Sequence, residues 1–241
     1  MKKFIKDDRS LIVAVDVPDS SALIRLAQAT AGIPKIGGFK LGIEQGLDGL
    51  KSAIYTLHSI PGHEKTTVIY DHQKAGNDIP GMGEKFARKL KDAGVDVAIL
   101  FPFAGPTTQR AWTEACFSEG LQVMTGGLMT HPQFLKSEGG YISDDTPERI
   151  FQLACTLGVH HFVVPGNKPL WVRKLREILV NELGEDEFTL SAPGFITQGG
   201  DISECGKIAG KMFYPIVGSG IYTKETPEAM RNAALNITKR L

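Results

Sequence analysis

Asp71, Lys74 and Asp78 stand within one short stretch, Tyr70-Asp71-His72-Gln73-Lys74-Ala75-Gly76-Asn77-Asp78-Ile79-Pro80, directly after an apolar run at 66–70. Apolar strands ordinarily end in turn residues, so two carboxylates around one lysine at such an end call for a reason. A second lysine, Lys40, lies at the end of an earlier apolar run. If the two strands are neighbours, Lys40, Asp71, Lys74 and Asp78 form an array of alternating charge. Such an array can hold an anion against a carboxylate and deliver a proton from an ammonium. The plainer readings are an N-cap for a strand-end aspartate and a purely structural ion-pair network.

The elements that must position these groups are short apolar runs at 11–15, 38–41, 67–70, 97–100, 121–124, 161–164, 189–191 and 215–217. Amphipathic stretches lie between them. Ser20 is placed to cap a helix over 22–29, and 84–91 carries Phe86 and Leu90 on one face. The stretches 106–119, 147–156, 169–181 and 227–240 each begin with a proline, which the first helical turn tolerates. Eight strand-then-helix units in 241 residues predict a (β/α)8 TIM barrel occupying 1–241 as a single domain, since that fold typically takes about 250 residues. A doubly wound sheet would show a glycine-rich turn after its first strand. Here that strand runs into Asp16-Val17-Pro18-Asp19.

In a barrel, polar residues at the carboxyl ends of the strands converge on one site. Asp16, Lys40, Asp71, Lys74, Asp78, Thr125, Thr130, Ser191 and Gln198 hold such positions. Two glycine-rich turns follow the last strands, Pro193-Gly194 with Gln198-Gly199-Gly200, and Gly218-Ser219-Gly220. Glycines let backbone N–H groups approach an oxyanion, and loops after strands seven and eight are the recurrent phosphate site of this fold. The segment 130–145 is a longer connection, of a length that suits a loop over that face.

No metal is expected, because no histidine, cysteine or carboxylate cluster has ligand spacing. Cys116, Cys155 and Cys205 read as buried thiols of a reducing compartment. Lysine plus arginine equals aspartate plus glutamate at 27 each, so no global field draws nucleic acid or an anionic membrane, and any anion site is local. The N-terminus mixes charge signs and lacks an apolar signal core. A cytoplasmic location follows as the expectation.

Taken together, Ala14-Val15-Asp16, Lys40, Asp78-Ile79-Pro80, Thr130-His131-Pro132, Pro193-Gly194, Gln198-Gly199-Gly200-Asp201 and Ile216-Val217-Gly218 resemble the orotidine 5′-phosphate decarboxylase family, archaeal type. The resemblance runs nearly end to end. It implies a (β/α)8 barrel, usually a homodimer with shared active sites, that decarboxylates a nucleotide without metal or organic cofactor. It implies that Lys40 orients Asp71, that Asp71 sits against the scissile carboxylate, and that Lys74 protonates the carbon losing carbon dioxide. Asp78 would reach the neighbouring site, Asp16 the ribose and Thr130 the pyrimidine. Pro193, Gly194, Gln198, Gly199, Gly218 and Ser219 would line the substrate, with Gln198 and the glycine turns on the 5′-phosphate.

The chain departs from the family pattern twice. The gaps from Asp71 to Lys74 and from Lys74 to Asp78 are each one residue longer than usual. Ser219 stands where the family has a phosphate-binding arginine, with Lys168 and Lys224 as candidate replacement cations. Two rival readings follow: a magnesium-dependent sugar-phosphate lyase of the same superfamily (3-keto-gulonate 6-phosphate decarboxylase or hexulose-6-phosphate synthase type), and a non-catalytic nucleotide-binding barrel. Lys40 occupies the place where the lyases carry a carboxylate, although Glu44 lies nearby.

Overall fold

Each short apolar run alternates between two buried faces, which is what a closed sheet wrapped in helices requires. The computed structural model describes residues 1–241 apart from Gln73, Lys74 and Thr197. Eight parallel strands close into a barrel in sequence order: β1 (Leu11–Val15), β2 (Ile36–Leu41), β3 (Thr67–Ala75), β4 (Val97–Leu100), β5 (Gln122–Gly126), β6 (His161–Val163), β7 (Thr189–Ala192) and β8 (Phe213–Val217). The helices are α1 (Ser20–Thr30), α2 (Ile43–His58), α3 (Met82–Ala93), α4 (Pro106–Ser118), α5 (Thr146–Thr156), α6 (Pro169–Leu183), α7 (Ile202–Ala209), and α8 (Ser219–Tyr222) with α9 (Pro227–Thr238) after the last strand. This is a (β/α)8 barrel.

Side-chain alternation decides what reaches the mouth. On β1, Leu11, Val13 and Val15 pack outward in the helix-facing core, while Ile12 and Ala14 pack inward with Ile69, Ile99 and Ile216. Ala14, Lys40 and Ile69 are in register across β1, β2 and β3. Lys40 therefore belongs to the inward set, and Asp16 and Asp71, two residues beyond Ala14 and Ile69, to the layer above it. Burying a large apolar side chain such as Ile12 or Ile69, both fully buried on the inward face, contributes about 1.5–3 kcal/mol. The ring of inward aliphatics is thus a rigid platform beneath the charges.

Prolines open α4, α5, α6 and α9 as the sequence predicts. The cap of α1 differs from the expectation: Asp19, one residue upstream of Ser20, accepts the Ala22 N–H at 2.8 Å. Three helices absent from the sequence reading appear, α2, α7 and the single-turn α8. Gly46 and Gly49 interrupt the apolar pattern of α2, and Gly49 has φ 123. Helix α7 is short, and its N-cap Asp201 directly follows the glycine turn. Among the described residues no helix is long and apolar enough to cross a membrane.

The N-terminal segment closes the opposite end of the barrel. The Phe4 ring packs edge-on against His161 at 4.7 Å and Tyr214 at 5.3 Å. Thr67 Oγ1 donates to the Phe4 carbonyl at 2.6 Å. His161 lies between Thr189 Oγ1, 3.0 Å from Nδ1, and Gln122 Oε1, 2.8 Å from Nε2. Burial pushes its pKa down from 6.5 to about 4, so the folded protein binds this proton less readily than the unfolded chain. Stability is then unaffected above pH 6.5, falls as pH drops from 6.5 toward 4, and levels off below. The full span amounts to about 3 kcal/mol. Urea unfolding at pH 7 and pH 4.5 is expected to show wild type losing more stability than His161→Gln across that interval; equal losses would contradict it.

Candidate active site

Lys40 is the centre of the site. It is 8% exposed, Asp71 is 7% exposed, and both point into the mouth of the barrel. Its Nζ lies 3.4 Å from Asp16 Oδ1 and 3.5 Å from Asp71 Oδ2. One ammonium therefore bridges carboxylates from the strands on either side of its own. A buried carboxylate without such a partner would carry a large desolvation cost. Gly42 makes room for the bridge: a Cβ there would lie 3.0 Å from Asp16 Oδ1 and 3.8 Å from Lys40 Nζ. Nothing local in the sequence marks Gly42, since its role depends on two other strands.

The β3–β4 ladder is interrupted by a bulge between Tyr70 and Ala75. Tyr70 pairs with Ala98, and the next pair is Ala75 with Leu100, so five steps along β3 face two along β4. The bulged strand rejoins the sheet through the Phe101 N–H, which donates to the Ala75 carbonyl at 2.7 Å. Asn77 Oδ1 then accepts from the Phe103 N–H at 2.8 Å, and Gly76 turns the chain with φ 97. Lys74 lies outside the described residues. Asp78 is exposed. Its Oδ1 accepts its neighbour's N–H, from Ile79, at 2.7 Å, and its carbonyl accepts from Thr108 Oγ1 at 3.0 Å. Among the described residues Asp78 joins no ion pair, so the chain alone does not bring it to Lys40.

On the far side of the mouth the glycine turns meet the loop after β5. Asn167 Nδ2 donates to the Thr130 carbonyl at 3.1 Å. A Cβ on Gly194 would stand 3.2 Å from both Thr130 Cγ2 and Asn167 Oδ1. The structure thus brings Thr130 and Gly194 together and adds Asn167, which the sequence reading did not single out. Its only local signal was its place in the loop after the sixth strand. The Gly200 N–H closes the turn onto the Gly194 carbonyl at 3.0 Å, leaving Gln198 exposed and Gly199, at φ 81, in open space. Gly218 sits against Ala14 beside β1, where a Cβ would meet the Ala14 Cβ at 3.0 Å. Ser219 opens α8, and its carbonyl accepts from Thr223 Oγ1 at 2.6 Å.

Lys168 is not available as a free phosphate-binding cation here. It pairs with Glu138 at 2.8 Å and donates to the His131 carbonyl at 3.4 Å, tying the loop after β6 to the loop after β5. Glu138 is held below the usual carboxylate range, first by that lysine's hydrogen bond. Phe101 and Phe103 after β4 and Phe134 after β5 form an aromatic wall, with centroids 5.8 Å and 5.2 Å apart along the row. Gly126 lets the Phe101 ring lie across it, since a Cβ there would be 2.2 Å from the ring. Pro193 is half-buried beside Gly194. Among the described residues no three histidine, cysteine or carboxylate side chains stand together as a metal site. The mouth therefore offers a buried lysine–carboxylate bridge on one side, glycine turns on the other, and an apolar wall between.

No protein-family model matches the chain. It is similar to the orotidine 5′-phosphate decarboxylase of Methanosarcina barkeri, with 29% identity over 234 residues, covering 94% of each chain. It is similar to that of Pyrococcus abyssi at 28% identity over 225 residues, covering 92% of this chain and 95% of the relative. Among solved structures, the orotidine 5′-monophosphate decarboxylase of Methanocaldococcus jannaschii complexed with inhibitor BMP superposes with a TM-score of 0.79 at 24% identity, over 97% of this chain and 98% of that one. At that identity the superposition carries the fold. The sequence resemblance to the archaeal decarboxylases extends over nearly the whole chain.

The bridge makes a stability prediction. Lys40→Met is expected to destabilise the protein by about 2–4 kcal/mol in urea, because it removes a cation from beside a buried carboxylate. Adding Asp71→Asn should recover much of that loss. A double variant as unstable as Lys40→Met alone would show that the lysine stabilises by packing rather than by charge.

Proposed function

We propose that the protein decarboxylates orotidine 5′-monophosphate to uridine 5′-monophosphate, as a carboxy-lyase of pyrimidine synthesis. The observation that carries this is the buried Lys40 bridging Asp16 and Asp71 at the barrel mouth, in a chain resembling archaeal decarboxylases of that name from end to end.

Loss of carbon dioxide breaks the bond from C6 to its carboxylate and leaves an electron pair on C6. Catalysis needs cations placed where that charge develops. Asp71, fixed by Lys40, sits against the scissile carboxylate and raises the ground state that departure relieves. Lys74 gives its ammonium proton to C6, and solvent restores it. Asp16, whose side chain is 45% exposed, is placed for ribose hydroxyls, and Thr130 for the pyrimidine. Pro193, Gly194, Gln198, Gly199, Gly218 and Ser219 line the phosphate end through backbone N–H groups and the Gln198 side chain. Binding energy from that remote phosphate holds the reacting carboxylate near Asp71.

Asp78 serves the neighbouring subunit of a homodimer. Its exposure, and that of Ile79 beside it at 66%, support a partner covering this tip. The reaction uses no metal or organic cofactor, and the enzyme works in the cytoplasm. Glu44, which a magnesium-dependent lyase would need near Lys40, is exposed in the first turn of α2, and no ion pair links it to the bridge among the described residues.

Turnover of orotidine 5′-monophosphate is expected to continue in excess chelator, followed by pyrimidine absorbance. A folded protein that shows none would sink the reading. Lys74→Ala should lower kcat by about 100- to 10,000-fold, the usual worth of a positioned acid, with thermal unfolding little changed. A near-normal rate would remove Lys74 from that role.

A further inference from the structure

The β3 bulge begins beside Asp71, yet contacts made by its described residues lie on the outside of the barrel. Alternation along β3 turns Asp71 inward and its neighbours Tyr70 and His72 outward. The Tyr70 hydroxyl and His72 Nδ1 are 2.6 Å apart. Burial first, and the charge of Asp71 second, push the Tyr70 phenol above its usual range. The phenol is therefore a neutral hydroxyl, which can donate to or accept from His72 Nδ1 according to the imidazole tautomer.

The surroundings of this pair are shaped to hold it. Gly46 of α2 faces the phenol so closely that a Cβ there would be 2.2 Å from the hydroxyl; only glycine leaves space for it. The His72 ring meets Phe86 edge-on at 6.2 Å, and Phe86 packs on Trp112 at 4.9 Å. Trp112 Nε1 in turn donates to the Ile79 carbonyl at 3.1 Å, on the far side of the same loop. Between the ladder pairs Tyr70–Ala98 and Ala75–Leu100, His72 is thus an anchor of the excursion.

We propose that Tyr70 and His72 form a positioning clamp that holds the β3 bulge, so that Asp71 and Lys74 reach one substrate despite their stretched spacing. The clamp touches no substrate and acts through the residues on either side of it. It rests on the decarboxylase reading for its effect on rate, although its effect on the loop does not depend on that reading. Displacing a reacting group by an ångström costs far more in the transition state than in ground-state binding, so the clamp belongs to kcat.

The test compares Tyr70→Phe, which removes only the hydroxyl, with His72→Leu, His72→Asn and the Tyr70→Phe/His72→Leu pair. Steady-state turnover of orotidine 5′-monophosphate is measured alongside hydrogen exchange of the 71–78 amides. Tyr70→Phe and His72→Leu should each lower kcat by about 10- to 100-fold with little change in KM. The pair should be no slower than the worse single variant, because both remove one interaction. His72→Asn, whose amide offers both a donor and an acceptor near the place of Nδ1, should regain most of the rate, and Gly46→Ala should slow turnover by crowding the same hydroxyl. Exchange across 71–78 should quicken in Tyr70→Phe and His72→Leu, reporting a loosened segment.

Unchanged kcat and unchanged exchange in Tyr70→Phe would overturn the clamp. So would a rate in His72→Asn as low as in His72→Leu with KM and thermal stability falling in step, which would mark mere packing. If wild type shows no turnover, exchange alone decides the clamp and only the functional reading fails.

Discussion

Two carboxylates facing the same barrel mouth repel each other, and the buried ammonium of Lys40 lets Asp16 and Asp71 share one layer. The interaction is forced from below. Lys40 is in register with Ala14 and Ile69, among the inward apolar side chains of the barrel. Its stem is packed as a core residue, and its charged end can only rise toward the strand ends. The carboxylates are then held by an ion pair whose strength the low-dielectric surroundings preserve. Gly42 leaves the space this needs. The geometry is set before any ligand arrives, which is the condition for electrostatic stabilisation of a developing charge.

The bulge in β3 is the second constraint. A regular strand of this sequence would carry Asp71 and Lys74 to opposite faces, because their separation is odd. Breaking the ladder between Tyr70 and Ala75 releases that parity. Bulges of this kind re-aim side chains next to functional sites. Here the described residues on either side are tied to the barrel wall at His72, Ala75 and Asn77. Across the mouth, Lys168 is spent on Glu138. The loops after β5 and β6 are joined by that pair and by the Asn167 amide, and the glycine turns border that side of the mouth.

Much of this was legible in the sequence because it depends on local pattern. The barrel followed from eight apolar runs with helices between them, and prolines marked four helix starts correctly. Lys40 and Asp71 stood out because charges at apolar strand ends are uncommon. What was illegible depends on distant partners. β3 extends to Ala75, beyond the expected end at Tyr70, because a bulged polar strand has no period-two pattern to read. Helix α2 was hidden by Gly46 and Gly49, and Gly46 is there for the Tyr70 hydroxyl. The roles of Gly42 and Asn167 exist only once three strands or two loops converge. The pairing of Lys168 with Glu138 likewise needed the fold.

The account stands or falls on whether Asp71 and Lys74 meet over one carbon atom. A crystal structure with a uridine monophosphate analogue bound would show this directly. The account predicts the Lys74 ammonium about 3 Å from the C6 position, the separation of a near-attack arrangement, with Asp71 on the side from which carbon dioxide departs. A bound analogue with the Lys74 ammonium turned away from C6 would contradict it.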